Sequence, residues 1–183
     1  VKFKRIWDQI NKKLTIQASQ CNPIKNNPYN KLPLIMPINL AIFCGENKII
    51  IKTFVLKEIK QEFIINNIRS NLQIPLVTYF REFSSPVKWE SDTTLDEKFL
   101  ILEYETDYFT LSNTVKVFYK KIISCRLNEN PDYKIEEKLI KVLISFLKNR
   151  DINLSLLSEL LSIPTFAEIE SEMKNIDPLK IYK

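Results

Sequence analysis

Glu168, Glu170 and Glu172 put three carboxylates within five residues, and Glu136-Glu137 put two side by side. Grouped carboxylates are the raw material of general acid–base chemistry and of hard-metal ligation. Both groups fall where helices are expected, so they read as solvated faces, favoured near a helix N-terminus. Asp107 beside Tyr108 reads in the same way, as an acid that starts a helix. The cysteines, Cys21, Cys44 and Cys125, are odd in number and lack CxxC spacing. They read as buried thiols of a reducing, cytoplasmic compartment rather than as ligands. No histidine occurs, which excludes histidine-based zinc sites, Ser–His and Cys–His nucleophile pairs and histidine general bases from these residues. A single glycine excludes a P-loop, GxGxxG and GxSxG. No residue of the chain is assigned a catalytic, cofactor-binding or metal-ligating role.

The balance of the 183 residues is that of a globular protein: 45% apolar, 27% charged, net charge +5. Basic and acidic residues interleave, and Tyr119-Lys120-Lys121 is the densest basic spot. Without a basic stripe or an RNA-binding aromatic motif, nucleic acid is not expected as a partner. No apolar run nears the roughly 20 residues that span a bilayer, and the N-terminus lacks an apolar signal core, so no membrane partner is expected either. The chain opens without Met, and its last residues begin a new helix. The expectation is a piece of a longer polypeptide.

The elements that must position any site fall in two halves. Residues 1–92 alternate with period two, as strands do. "FKRIWD" and "KLTIQAS" form a hairpin through "QINK". Residues 22–33, with three prolines and four asparagines, form a loop. "LIMPINLAIF" places Ile38, Leu40 and Ile42 on one face, with Pro37 calling for an edge position or a bulge. Gly45 turns a hairpin into "IIIKTFVL"; "QEFIINNI", "LVTYFREF" and "PVKWE" complete roughly seven strands. That pattern predicts an antiparallel β-sandwich.

From residue 93 the period becomes helical. Thr94 and Glu97 fit a capping box. Val115, Phe118, Tyr119 and Ile122 form one stripe; Ile135, Leu139, Val142, Leu143 and Phe146 form another. "LNENPD" separates the two helices. Asn153 caps the next helix, Thr165 and Glu168 repeat the capping box, and Asp177-Pro178 announces a further helix. The class is therefore α+β with segregated domains: an antiparallel sandwich over 1–92, then an antiparallel α-helical array over 93–183, truncated.

Three stretches carry a family resemblance. "REFSSPVKWE" (81–90) resembles the R-G/E-F-S-A-P-V-K-L-E stretch of M1-family zinc aminopeptidases of the aminopeptidase N (alanyl aminopeptidase) type, with Ser85 where Ala is usual and Trp89 where Leu is. "KLPLIMPINLAIF" resembles that family's K-x-P-L-x-I-P strand, and "LLSIPTFAEIESEMKNIDP" (160–178) its L-x-L-P-S segment ending in I-D-P. The family's Phe-x-Arg-Trp is not kept, since Phe109 is followed by Thr110 and Leu111. Gly45-Glu46-Asn47 is similar to the family's Gly-x-Met-Glu-Asn amino-terminus clamp but lacks the x-Met pair.

The resemblance implies a small β-sandwich connecting domain plus the start of a C-terminal helical domain. Zinc, its ligands and the general base would then lie in an upstream catalytic domain of the parent enzyme. The partners implied are that domain, the remaining C-terminal helices and, for the parent, peptide substrates. The expected function is non-catalytic: support for an enzyme that removes N-terminal residues from peptides, as a wall of its peptide chamber. The alternative is a scaffold or protein-interaction module without peptidase activity. Within the motif, Phe83 and Val87 are expected to plug the core on either side of a bend set by Pro86 in the last strand. A last helix over about 166–174 would leave Ile169 and Met173 partly exposed and lead to weak self-association.

Overall fold

A computed structural model describes residues 1–21, 32–45, 48–165 and 167–169. Seven strands occur among them: β1 (Lys2–Asp8), β2 (Lys13–Ser19), β3 (Met36–Phe43), β4 (Ile49–Leu56), β5 (Lys60–Ile65), β6 (Leu76–Tyr79) and β7 (Glu90–Ser91). Helices α1 (Leu95–Tyr104), α2 (Tyr108–Leu127), α3 (Tyr133–Lys148) and α4 (Leu154–Leu161) follow. The chain divides into two compact units, Val1–Thr110 and Leu111–Lys183, with α1 inside the first.

In the first unit one sheet has the order β5-β2-β1-β7 and the other β4-β3-β6. Their inner faces share one core. Leu14, Ile16 and Ala18 of β2 and Ile38, Leu40 and Ile42 of β3 are each at most 2% exposed, as period-two alternation requires of two stacked sheets. Phe3 stacks on Tyr79 at 4.1 Å between ring centroids, with Trp89 edge-on to both. The pairings are antiparallel except one: β7 runs parallel to β1, with Lys2 opposite Glu90. Gly45 takes φ +129°, a conformation that favours glycine, in the turn closed by the Cys44 N–H to Lys48 carbonyl bond.

The 80–90 stretch departs from expectation. "LVTYFREF" is strand only to Tyr79, and "PVKWE" contributes only Glu90 to a strand. Phe80, Glu82 and Phe83 adopt left-handed φ of 56°, 55° and 53° around a 3-10 turn at Arg81–Phe83, and no ladder continues through such residues. The turn also inverts the expected packing. Phe83 points outward, 56% exposed against the Phe109 ring, while Phe80 is fully buried and Val87 only partly so.

Pro37 lies on β3, the middle strand of its sheet. Yet β6 pairs with β3 only over Leu40–Phe43, so beyond that point β3 has an open rim. There the Asn39 N–H donates to Ser84 Oγ (3.1 Å) and Ser85 Oγ donates to the Pro37 carbonyl (2.7 Å). N and O of one strand residue point to the same side. The missing N–H of Pro37 therefore faces this rim, where no ladder asks for it. The serine pair replaces a strand.

The helices start where their caps are. Thr94 and Glu97 exchange both capping-box bonds, Asp132 caps α3 and Asn153 caps α4. In the second unit Val115, Phe118, Leu139, Leu156 and Leu160 are buried. Ile169 is buried too, 6% exposed rather than open; the turn begun by the Thr165–Glu168 box carries it inward. Met173, Glu170, Glu172, Glu46, Asn47, Asp177 and Pro178 lie outside the described residues, as does most of the 22–33 loop. Among the described residues no helix is long and apolar enough to cross a membrane.

Candidate functional site

Among the described residues, the carboxylates that the sequence brings forward are each committed to a local structural bond. Glu136 binds the Arg126 guanidinium through both oxygens, Glu137 binds Lys141 one turn on at 2.6 Å, and Glu168 accepts the Thr165 N–H at 2.7 Å. Those bonds hold all three carboxyls below the ordinary carboxylate range. Asp107 caps the first turn of α2, accepting the Thr110 N–H (2.9 Å) and hydroxyl (2.6 Å). Of the three thiols only Cys44 is fully buried, and burial pushes it up; Cys21 is exposed and Cys125 half-buried, against expectation. Cys21 lies just past the end of β2. Among the described residues no three acids or cysteines converge as metal ligands would.

The unusual chemistry lies in two buried ion clusters of the first unit. Arg5 sits at an inward position of β1, in phase with Phe3, with its side chain 4% exposed. Its Nε donates to Asp92 Oδ1 (2.9 Å), one Nη to Glu97 Oε2 (2.9 Å) and the other to the Pro75 carbonyl (3.3 Å). Asp92 Oδ2 also accepts the Arg5 backbone N–H at 2.8 Å. Burial alone pushes the Glu97 carboxyl up; the Arg5 guanidinium and the Thr94 amide outweigh it and hold the group below the ordinary range. Burial depresses the neighbouring Lys98 ammonium and raises the Tyr79 hydroxyl.

The second cluster ties the 3-10 turn to the start of α2. Arg81 Nη2 donates to Glu105 Oε1 at 3.0 Å, and Glu105 Oε2 accepts the Thr78 hydroxyl at 2.7 Å. The backbone N–H groups of Thr106 and Asp107 also close on Glu105 Oε1, at 2.8 and 2.9 Å. Glu82 N–H reaches Asp107 Oδ1 at 3.1 Å. The Glu105 carboxylate is thus held by four residues, and it faces no open cleft: its side chain has no exposed surface. Such a carboxylate is a tie and not a base. Among the described residues the buried polar atoms without a hydrogen-bond partner are Trp7 Nε1, Tyr79 Oη and Arg81 Nε.

Neither cluster was read from the sequence. A signal for the first existed: period two sets Arg5 on the inner face with Phe3 and Trp7, and a buried arginine demands acids. The second had no local signal, because Arg81 and Glu105 are joined only through folding.

Residues 1–92 match the family model described as a domain of unknown function (DUF3458) with an Ig-like fold, and residues 95–183 match the model described as DUF3458_C, ARM repeats. A crystal structure of Legionella pneumophila aminopeptidase A in complex with aspartic acid is similar in fold, with a TM-score of 0.76 at 16% identity. The match covers 99% of this chain and 20% of that one, so the chain spans one fifth of the length of the solved protein it matches.

Proposed function

The chain belongs to the family described as a domain of unknown function (DUF3458) with an Ig-like fold, and from that premise we propose that it is the non-catalytic supporting part of an M1-type zinc aminopeptidase. The observation that carries this reading is the match of nearly the whole chain to one fifth of an aminopeptidase. The three sequence stretches that resemble the M1 family, in that family's order, support it. The residues present do not fit a zinc centre of that class, since the chain has no histidine. On this reading the metal, the general base and the peptide's reacting bond belong to a domain outside these residues. The chain contributes a stiff sandwich and helices that wall the peptide chamber.

The test is hydrolysis of aminoacyl amides by the purified chain with zinc added. No turnover above background is expected. Zinc-dependent turnover that stays with the protein through successive columns, and is removed by a chelator, overturns the reading.

The alternative is a scaffold or protein-interaction module without peptidase activity. A longer polypeptide containing this chain separates the two: a His-Glu-x-x-His helix followed by a glutamate ligand supports the enzyme, and its absence supports the scaffold.

A further inference from the structure

β4 is the outer strand of the sheet β4-β3-β6, and among the described residues no strand pairs with its other side. It lies in the Ig-like half matched over residues 1–92, so its open rim is not the unfinished end of a helical array. Which backbone groups face that rim follows from the bonds around it. The Cys44 N–H donates to the Lys48 carbonyl, which sets even-numbered residues of β3 and β4 to exchange the ladder bonds. The Asn39 N–H and the Pro37 carbonyl turn to the opposite rim of β3, as odd-numbered residues then must. At the far end of β4 the Val55 carbonyl accepts the Gln61 side-chain amide at 3.1 Å, and the Lys57 N–H donates to the oxygen of that same side chain at 2.8 Å. Gln61 thus closes the rim there. The N–H and C=O groups of Ile49, Ile51 and Thr53 are left facing outward, with no hydrogen-bond partner among the described residues. Their side chains lie on the outer face of the sheet, Ile49 38% and Ile51 63% exposed. Bare strand edges of this kind are templates for another strand.

We propose that a second copy of this chain pairs with β4, antiparallel about a two-fold axis at Ile51, so that the two sheets become one. A two-fold contact sets one residue of the strand against itself, and the sequence of β4 selects which. With Ile51 against Ile51, Ile49 lies opposite Thr53 in both directions, and every open N–H and C=O of the three residues finds a partner. Lys52 then lies opposite Ile50, along which its stem can lie, and the two Ile51 side chains form a β-branched pair on the outer face. A register centred on Lys52 sets lysine against lysine. One centred on Thr53 calls on the Val55 carbonyl, which Gln61 holds. One centred on Ile50 sets Thr53 against a residue before the strand begins. An unrelated extended peptide would use the same hydrogen bonds, but the strand's own sequence meets all of these conditions at once. This inference stands apart from the aminopeptidase reading and does not depend on it.

The test uses the full chain. Sedimentation equilibrium is expected to show monomer and dimer in exchange. Between dilute and concentrated protein, amide hydrogen exchange at Ile49, Ile51 and Thr53 is expected to slow about tenfold or more, while Ile50, Lys52 and Phe54, already in the β3 ladder, keep their rates. Ile51 is exposed, so Ile51→Lys and Ile51→Glu should each keep the circular dichroism of the parent. Either variant alone sets like charges across the axis and is expected to be monomeric; mixed one to one, the two are expected to dimerise again. A parent chain that stays monomeric at the highest concentration, or concentration-dependent slowing that spares the three odd-numbered amides, overturns the proposal without any variant. Self-association unchanged in Ile51→Lys, or mixed variants that stay monomeric, overturns it too. So does protection of the same three amides by an unrelated extended peptide in a chain that remains a monomer.

Discussion

Glu105 illustrates how a carboxylate without exposed surface can hold a fold together. It accepts from Arg81 Nη2, the Thr78 hydroxyl and two backbone amides at once, while Arg81 itself is 6% exposed. Buried pairs return little net stability, but removing one partner strands a charge. E105L or R81M alone is therefore expected to cost about 3–5 kcal/mol, read as a lower urea midpoint. The double variant R81M/E105L should cost clearly less than either single change. A double variant that loses the sum of the two would mean that the residues act independently. The left-handed backbone at Phe80, Glu82 and Phe83 is held against its own preference by these ties, which is why the turn is built around them.

α1 depends on a cap that is also an ion site. Glu97 closes the capping box with Thr94 and takes the Arg5 guanidinium on the same Oε2. Its folded proton affinity lies below the ordinary value of 4.5. A depressed carboxylate stabilises the fold fully above that value, and the contribution is lost as pH falls through the folded value. Thermal melts between about pH 5 and pH 3 should show stability falling with acid, and Glu97→Gln should flatten that slope. An unchanged slope would show that Glu97 is not the group responsible. The capping box was legible in the sequence, because Thr-x-x-Glu is a local pattern with a local bond. The guanidinium that shares it was not, since Arg5 and Glu97 are 92 residues apart. The same limit explains the serine pair at 84–85. A period-two run continues on paper through "LVTYFREFSSPVKWE"; the end of β6 and the left-handed turn exist only in three dimensions.

At the scale of the molecule, both tryptophans, Trp7 and Trp89, lie in the first unit, while α3, α4 and most of α2 lie in the second. Urea unfolding followed by tryptophan fluorescence should report the sandwich, and ellipticity at helical wavelengths chiefly the helices. The two curves are expected not to superimpose, as two compact units allow; coincident midpoints and slopes would show a single cooperative unit. The order of sheet before helix, most strand cores, the helix caps and the lack of imidazole chemistry were all set by residue type and spacing, because each rests on contacts within a few residues. Folding alone decided the parallel seam of β7 on β1, the outward Phe83, the inward Ile169 and which distant acids close on Arg5 and Arg81. Each of those depends on which distant segment covers a face, and burial is a property of the neighbour as much as of the residue.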